Sequence, residues 1–166
     1  ALFVFFLTIA FVTGAPFVPS TNPTARAMIH LARIRQGDTI YDLGSGDGKL
    51  LFLAAAAGAR ATGFEINPFL VLWSNVRAFF SPYRGRVNTV WKNFWRADLA
   101  RANVVFVYLL PWRMKELEEK LLGQLSPGTR IVSNSFIFPS WKVVGSDSRV
   151  HAYLFQIPQK AATIAS

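Results

Sequence analysis

The sequence contains no cysteine, which excludes disulfide bonds, thiolate-bound zinc and thiol-based catalysis. It has only two histidines, His30 and His151, and they stand far apart in the chain, so we interpret each as an ordinary partly buried or surface side chain. We therefore predict no metal site. Acidic residues are scarce as well: nine stand against 18 lysines and arginines, and the formal charge is +9 at pH 7. That balance indicates an anionic partner, either nucleic acid or an anionic membrane surface.

Apolar residues, in contrast, are abundant. Of the 166 residues, 52% are hydrophobic and only 16% are charged, with fifteen phenylalanines and five tryptophans. The length is sufficient for one domain with a substantial core. The composition is rich in apolar side chains for a soluble protein, and it indicates extra apolar surface that something covers.

The first 20 residues carry no charge, and residues 1–12 are almost continuously apolar. We predict that residues 1–15 form an apolar membrane-anchor helix, although this run is shorter than the roughly 20 residues of a complete span. A cleaved signal peptide and a helix buried in the core are the alternatives. The basic residues that follow favour a cytoplasmic position for this flank under the positive-inside rule, and they are Arg26, Arg33 and Arg35.

Residues 16–36 are predicted to form a proline-containing arm and a short helix. Asn22 is the expected N-cap of that helix, and Pro23 its first residue. Its apolar stripe is predicted at Ala27, Leu31 and Ile34.

From residue 37 onward, short apolar runs alternate with helical patterns, and residues 37–160 are predicted to form one domain. Strands are predicted at 39–43, 60–65, 86–91, 103–110 and 128–134, and helices at 49–59, 67–80 and 113–125. In the last helix, one face carries Met114, Leu117, Leu121 and Leu125, and Glu116 is expected to pair with Lys120. Residues 141–145 and 149–157 are predicted to close the sheet as an antiparallel hairpin. The alternation predicts an α/β fold with a Rossmann-like, doubly wound, mostly parallel sheet, preceded by the apolar N-terminal helix.

A glycine-rich loop, DLGSGDG, follows the first strand at the edge where open α/β sheets bind ligands. It does not match a phosphate-binding P-loop, because the positions that would need glycine and Ser or Thr, 43 and 50, are both leucine. The glycine spacing is also one residue too short for a dinucleotide fingerprint. Asp47 lies where a pyrophosphate would sit and would repel it. The loop therefore favours a ligand that has positive charge and no phosphate.

S-adenosylmethionine has an ammonium, a sulfonium and no phosphate. We expect Asp42 to accept from its ammonium and Glu65 to accept from both ribose hydroxyls. After the third strand, Asn93 is expected at the adenine edge and the Phe94 ring on the adenine face. The predicted cofactor site comprises Asp42, Gly44, Ser45, Gly46, Asp47, Gly48, Glu65, Asn93 and Phe94. The alternative for each residue alone is ordinary turn chemistry.

Three stretches, DLGSGDGKLLFLAAAAGARATGFEINPFLVLWSNVRA, FWRADLARANVVFVYLLP and LSPGTRIVSNSF, resemble class I S-adenosylmethionine-dependent methyltransferases. More closely, the chain is similar to the small membrane-anchored protein-lysine methyltransferases of mitochondria and their prokaryotic relatives. Known mitochondrial members modify the ATP synthase c subunit and the adenine nucleotide translocase. The resemblance extends over nearly the whole chain, including the apolar N-terminus and the PFVPS arm.

The resemblance implies S-adenosylmethionine as cofactor, with its methionine end at Asp42 and the three loop glycines and its ribose at Glu65. Asn93 departs from the acidic residue expected beside the adenine. It further implies a location in a membrane, either with the catalytic domain on the cytoplasmic side in a prokaryote or at the mitochondrial inner membrane.

The implied reaction is an in-line displacement of a methyl group, in which the enzyme chiefly positions the reactants. A lysine amine must first lose a proton, and an apolar cleft favours its neutral form. The segment YLLPW, residues 108–112, is apolar and aromatic, and we expect Tyr108, Leu109 and Pro111 to face the acceptor. The Tyr108 hydroxyl is the candidate group for aligning the amine, with a plain core residue as the alternative. No general base is identified.

Three functions remain open. The first is a membrane-anchored protein-lysine methyltransferase, and the second is an RNA or small-molecule methyltransferase that uses the positive charge to bind nucleic acid. The apolar N-terminus favours the first over the second. The third is a non-catalytic module at the membrane. The expected partners are a protein substrate in or at a membrane and an anionic lipid surface, with nucleic acid as the alternative.

Overall fold

The computed structural model describes residues 21–158. The predicted anchor helix over residues 1–15 lies outside the described residues. Within them, the helices are α1 (Asn22–Ala32), α2 (Lys49–Ala56), α3 (Pro68–Phe79) and α4 (Met114–Gln124), and two short 3-10 helices span Phe94–Arg96 and Pro111–Arg113. The strands are β1 (Thr39–Leu43), β2 (Arg60–Glu65), β3 (Val87–Trp91), β4 (Val104–Val107), β5 (Arg130–Asn134), β6 (Gly145–Asp147) and β7 (Ala152–Gln156).

The strands form one sheet in the order β3-β2-β1-β4-β5-β7-β6. Strands β1 to β5 are parallel, and β7 runs antiparallel to both β5 and β6. The order reverses between β1 and β4, which is the point where open α/β sheets form a ligand crevice. The prediction of a doubly wound, mostly parallel sheet with an antiparallel hairpin at the C-terminus is confirmed.

Apolar clusters cover both faces of the sheet. On one face, β4 contributes Val104 and Phe106 to a cluster with α1 and α2. On the other face it contributes Val105 and Val107 to a cluster with α4. All four residues of β4 are buried, as expected for a central parallel strand with helices on both sides.

Helix α1 begins and packs differently from the prediction. Its N-cap is Thr21, whose hydroxyl accepts from the backbone N–H of Thr24 at 3.3 Å, so the choice of Asn22 was wrong. The residues that α1 buries are Ala25, Met28 and Ala32, whereas the predicted stripe of Ala27, Leu31 and Ile34 is only half-buried.

The C-terminus of α1 is fixed by an arginine from the start of β5. The guanidinium of Arg130 donates to the carbonyl oxygens of Ala32, at 2.6 Å, and Arg33, and it forms an ion pair with Asp38 at 2.6 Å. The last turn of α1 therefore lies at the amino edge of the parallel strands. Because α1 packs on β5 and β7 and is about as long as a strand of this sheet, its first turn lies towards the carboxyl edge.

Three further features of the structure differ from the sequence-based predictions. Strand β4 ends at Val107, so residues 108–110 leave the sheet instead of extending it. Glu116 forms its ion pair with Arg113, at 3.0 Å, whereas Lys120 donates to the carbonyl of Ala97 at 2.9 Å. Strand β6 begins at Gly145, where the predicted strand 141–145 ends. None of the helices within residues 21–158 combines the length and apolar character that crossing a membrane requires.

Candidate active site

The glycine loop turns between β1 and α2 at the carboxyl edge of the sheet. Gly44, Gly46 and Gly48 have φ angles of 88°, 56° and 83°. This is a left-handed backbone conformation that residues other than glycine rarely adopt. The N–H groups of Gly44 and Ser45 both donate to the carbonyl of Phe64, at 2.9 and 3.2 Å. The loop therefore bends over the end of β2.

The loop approaches its neighbours too closely for larger residues. A Cβ atom on Gly63, in β2, would lie 2.2 Å from the Ser45 hydroxyl oxygen and 2.8 Å from a methyl group of Leu51. A Cβ atom on Gly48 would lie 2.4 Å from the hydroxyl oxygen of Ser74 in α3. The Ser45 hydroxyl is buried and has no hydrogen-bond partner among the described residues. The side chain of Ser45 thus points back into the fold, against β2.

Glu65, the last residue of β2, holds the loop in place. One carboxylate oxygen accepts from the N–H of Gly46 at 2.9 Å, and the other accepts from Ile66 at 2.9 Å and Asn67 at 2.8 Å. A carboxylate offers about four acceptor positions. Three backbone N–H groups occupy three of these positions, so one remains free in this conformation. Glu65 could therefore accept hydrogen bonds from both ribose hydroxyls only if one backbone N–H were released.

Asp42, near the end of β1, is a buried carboxyl group among other carboxylates. Burial, together with repulsion from the charges of Glu65 and Asp47, raises its pKa to about 7. Only 6% of the residue is exposed, and no positive charge from the described residues offsets these effects. An ionised Asp42 therefore lacks a cation. A ligand ammonium would supply that cation, so the residues present fit the amino-acid end of S-adenosylmethionine.

Asp47 is half-buried and takes part in the structure of the loop. Its carboxylate accepts from the N–H of Lys49 at 3.2 Å. The guanidinium of Arg77, in α3, donates to the carbonyl oxygen of Asp47 at 3.0 Å and lies 3.9 Å from its carboxylate. Arg77 also lies over the ring of Phe52. The contact of Arg77 is not predictable from the sequence, because no spacing rule connects it with a loop thirty residues earlier.

The two residues predicted at the adenine follow β3 but differ in accessibility. Asn93 is half-buried, and its side-chain oxygen accepts from the N–H of Trp95 at 3.0 Å, which caps the first 3-10 helix. The Phe94 ring is buried in the apolar cluster on the α4 side and packs against Trp95. Its face is therefore covered by protein in this conformation. The Asn93 amide N–H₂ group is the part of this pair that remains suited to an adenine edge.

The segment after β4 contains the three residues that were predicted to face the acceptor, and only some of them are accessible to solvent. Leu109, which was predicted to face the acceptor, is buried in the apolar cluster on the α4 side and in this conformation faces the core. Tyr108 is half-buried and lies parallel to Phe136, which follows β5, with ring centroids 6.4 Å apart. Pro111 is exposed at the start of the second 3-10 helix. The aromatic pair of Tyr108 and Phe136 thus follows the carboxyl ends of β4 and β5, at the same edge of the sheet as the glycine loop.

A polar cavity of about 430 Å³ lies at the opposite, amino edge of the sheet. Arg35, Arg101, Arg130 and Asp38 are among its lining residues. It is far from the glycine loop, and the Arg130 guanidinium is already committed to Asp38 and to α1. We therefore place the site at the carboxylates and not at this cavity. Within residues 21–158, no group of side chains has the composition of a metal site.

A doubly wound sheet with this glycine loop and acidic residues ending its first two strands defines the class of S-adenosylmethionine-dependent methyltransferases. The comparison with known families gives the particular assignment. The chain belongs to the ANTKMT methyltransferase domain family, whose model matches residues 42–145.

Individual relatives agree with that assignment. The chain is 35% identical over 126 residues to a mouse (Mus musculus) protein named as the lysine N-methyltransferase of the ATP synthase c subunit, covering 76% of this chain and 51% of the relative. It is 34% identical over 134 residues to a protein-lysine N-methyltransferase of Saccharolobus islandicus, covering 80% of this chain and 83% of the relative. The chain thus spans about half the length of the mouse relative.

A solved structure also resembles the chain. It is described as an RNA methyltransferase from Salinibacter ruber in complex with S-adenosyl-L-homocysteine. The two share 34% sequence identity with a TM-score of 0.81, covering 88% of this chain and 97% of the other.

Proposed function

We propose that this protein transfers a methyl group from S-adenosylmethionine to a lysine side chain of a protein in or at a membrane. The observation that carries the proposal is the buried, uncompensated Asp42 beside Glu65 and Asp47 at the turn of the glycine loop. The choice of lysine is supported by the names of the mouse and Saccharolobus relatives.

When bound, S-adenosylmethionine supplies the methyl group. Asp42 binds its ammonium, and the glycines at 44, 46 and 48 let the backbone come close to the methionine part. Glu65 has two tasks, since it fixes the loop through the Gly46 N–H and offers its remaining acceptor position to the ribose. Asn93 binds the adenine edge. Ser45 and Phe94 support the site from within the fold, and Asp47 shapes the loop together with Arg77.

The acceptor amine enters beside the aromatic pair at the ends of β4 and β5. A free lysine has a pKa of about 10.4, and removal from water lowers it towards the neutral, nucleophilic form. Tyr108 is the polar group of this apolar surface, and its hydroxyl aligns the amine. Pro111 lies at the rim. Leu109 supports the segment from the core and does not touch the acceptor.

The domain organisation is part of the proposal. Residues 1–15 anchor the chain in a membrane, residues 16–36 contain the arm and α1, and residues 37–160 form the methyltransferase domain, whose core α1 completes. The excess of basic residues favours an anionic lipid surface as a second partner. The catalytic domain then lies on the cytoplasmic side in a prokaryote, or at the mitochondrial inner membrane in a eukaryote.

RNA methylation is the second candidate. The description of the Salinibacter ruber structure and the net charge of +9 both favour it. Protein methylation takes precedence because the two sequence relatives are named for lysine.

The test incubates the full chain with tritiated S-adenosylmethionine, isolated membranes and total RNA, followed by separate protease and ribonuclease digestion. We expect label in a membrane protein, in which mass spectrometry locates methyllysine. Asp42→Asn should abolish the label, whereas Asp98→Asn, at an exposed turn, should not. Label that only ribonuclease releases would establish the second candidate instead. Absence of both label and cofactor binding would leave a non-catalytic module.

A further inference from the structure

Helix α3 turns its polar side chains towards the sheet and its apolar side chains towards solvent. The hydroxyl of Ser74 lies 2.7 Å from that of Thr89 in β3, and Asn75 exchanges two hydrogen bonds with the Thr89 backbone, at 2.8 and 2.9 Å. Exposed apolar side chains follow one another at helical spacing on the outward side: Phe69, Leu72, Trp73, Val76 and Phe79. A surface helix of a globular protein normally shows the reverse pattern.

The apolar surface extends past both ends of the helix. Phe80 follows the last turn and is 81% exposed, and Trp91, at the end of β3, is 69% exposed. Trp91 lies on the same face of the sheet as α3. It is two residues after Thr89 in β3, so both side chains point to the face that α3 covers. Its indole N–H also donates to the carbonyl of Ile66, just before the helix. We call the outward side of α3 together with Phe80 and Trp91 the docking face. A contiguous apolar surface of this kind marks an interaction site.

The stretch of chain that carries the docking face has charges of one sign. Residues 66–97 contain no aspartate or glutamate and five basic residues, namely Arg77, Arg84, Arg86, Lys92 and Arg96. Arg84 lies over the ring of Phe79, 3.9 Å from its centroid, so one of these charges directly borders the apolar side chains. An apolar helix face that is rich in Trp, Phe and Leu and bordered by basic residues fits the interface of an anionic bilayer.

The same charges disfavour a second copy of the chain as the occupant. Two docking faces in contact would bring the Arg84 guanidinium of each copy, which lies over Phe79, towards a stretch of chain, residues 66–97, that has no acidic residue to pair with it. An anionic lipid surface instead neutralises the charges and accepts the aromatic side chains.

The course of the chain supports the same orientation. The first turn of α1 lies towards the carboxyl edge of the sheet, and residues 1–20, which carry no charge, precede it. Helix α3 begins at this same edge, directly after Glu65. The first described residues of the chain and the start of the docking face therefore lie on one side of the molecule, which is also the side of the active site.

We propose that the docking face lies on an anionic lipid surface, so that the start of α3, at the carboxyl edge of the sheet, meets the membrane. This inference deepens the proposed function, because it explains how the site would meet a lysine that lies at a membrane. It rests on the proposed function for the substrate, but the docking itself is measured without donor or acceptor.

The experiment uses the absence of cysteine, which makes an engineered one unique in the chain. A fluorescent label is attached to Leu72→Cys in the full chain, and the control is Leu122→Cys on α4, across the sheet. Both leucines are exposed, at 63% and 46%. Vesicles of phosphatidylcholine and phosphatidylglycerol carry acyl chains brominated near the headgroup. We expect the label at 72 to lose emission by quenching and the label at 122 to keep it.

The charge requirement is tested with Arg84→Gln, which removes the guanidinium that lies over Phe79 of the docking face. This change should weaken binding to the anionic vesicles about fivefold, whereas Lys142→Gln, an exposed position just before β6 at the other end of the sheet, should leave binding unchanged.

Equal quenching at both labels, no quenching at either, or equal binding to vesicles of phosphatidylcholine alone would overturn the proposal. So would shielding of the label at 72 in the absence of lipid, because that result identifies protein, a second copy or another segment of this chain, as the occupant. An anchor at residues 1–15 acting alone does not reproduce the expected difference between the two labels. A failure of lysine methylation would leave these results unaffected, so the two proposals fail separately.

Discussion

The pKa of Asp42 makes the affinity for the cofactor depend on pH. Burial and, to a smaller extent, repulsion from Glu65 and Asp47 together raise this pKa to about 7. In the ligand-free protein the carboxyl group is then about one-tenth ionised at pH 6 and about nine-tenths at pH 8. Since only the ionised form attracts an ammonium, affinity should rise about tenfold over this interval and level off above it.

Isothermal titration calorimetry with S-adenosyl-L-homocysteine measures this dependence, because that ligand keeps the amino-acid ammonium. In two buffers of different ionisation heat, binding near pH 7 should release protons as Asp42 ionises. Asp42→Asn should bind more weakly and lose the dependence. Asp47→Asn should retain it, with the rise moved to lower pH because one repelling charge is gone.

The same group contributes to folding with a definite sign. An acid whose pKa is higher in the folded state stabilises that state most at low pH, and this contribution falls as the pH rises from about 4 to about 7. The stability of Asp42→Asn relative to the natural chain should therefore increase over that range. A flat affinity between pH 6 and pH 8 in the natural chain, or an unchanged slope in Asp42→Asn, would refute the assignment of the ammonium to Asp42.

Three further changes test the site and its support. Gly63→Ala should lower the free energy of unfolding by about 1–3 kcal/mol and weaken cofactor binding, since its Cβ collides with the Ser45 hydroxyl. Glu65→Gln should cost about 1–3 kcal/mol and loosen the loop, because an amide cannot accept from all three backbone N–H groups. Leu109→Ala should cost about 2–5 kcal/mol without changing KM for the acceptor, because Leu109 is a core residue.

Thermal and urea unfolding measure these stabilities, and each change has a control. Gly123→Ala, where a Cβ meets nothing within 4 Å, should leave α4 at least as stable. Glu119→Gln, at an exposed position of the same helix, should be nearly neutral. If Leu109→Ala increased KM for the acceptor without loss of stability, Leu109 would be shown to contact the acceptor. If Gly63→Ala had the same free energy of unfolding as the natural chain, the glycine loop would be shown to pack less tightly against β2 than the structure indicates.

Local sequence signals were sufficient for most of the sheet. Strands β1 and β2 begin and end at the predicted residues, because a short apolar alternation ends in a glycine loop in one case and in an Asn-Pro helix start in the other. The burial of Met114, Leu117 and Leu121 likewise follows from helical periodicity.

The failures have a common physical origin in contacts between residues distant in the chain. An apolar run does not show where a strand ends, since Leu109 is buried after leaving the sheet. Neither the contact of Arg77 with the glycine loop nor the capping of α1 by Arg130 follows from spacing. The sequence indicated a carboxylate for the ribose at Glu65, but its bonds to three backbone N–H groups depend on the folded loop.

The crystal structure of the chain with S-adenosyl-L-homocysteine is the most direct test of the central claim, that a cluster of carboxylates at the glycine loop holds the cofactor. We predict the ligand ammonium within hydrogen-bond distance of Asp42 and a ribose hydroxyl at Glu65. A ligand bound elsewhere, such as in the arginine-lined cavity at the amino edge of the sheet, would contradict it.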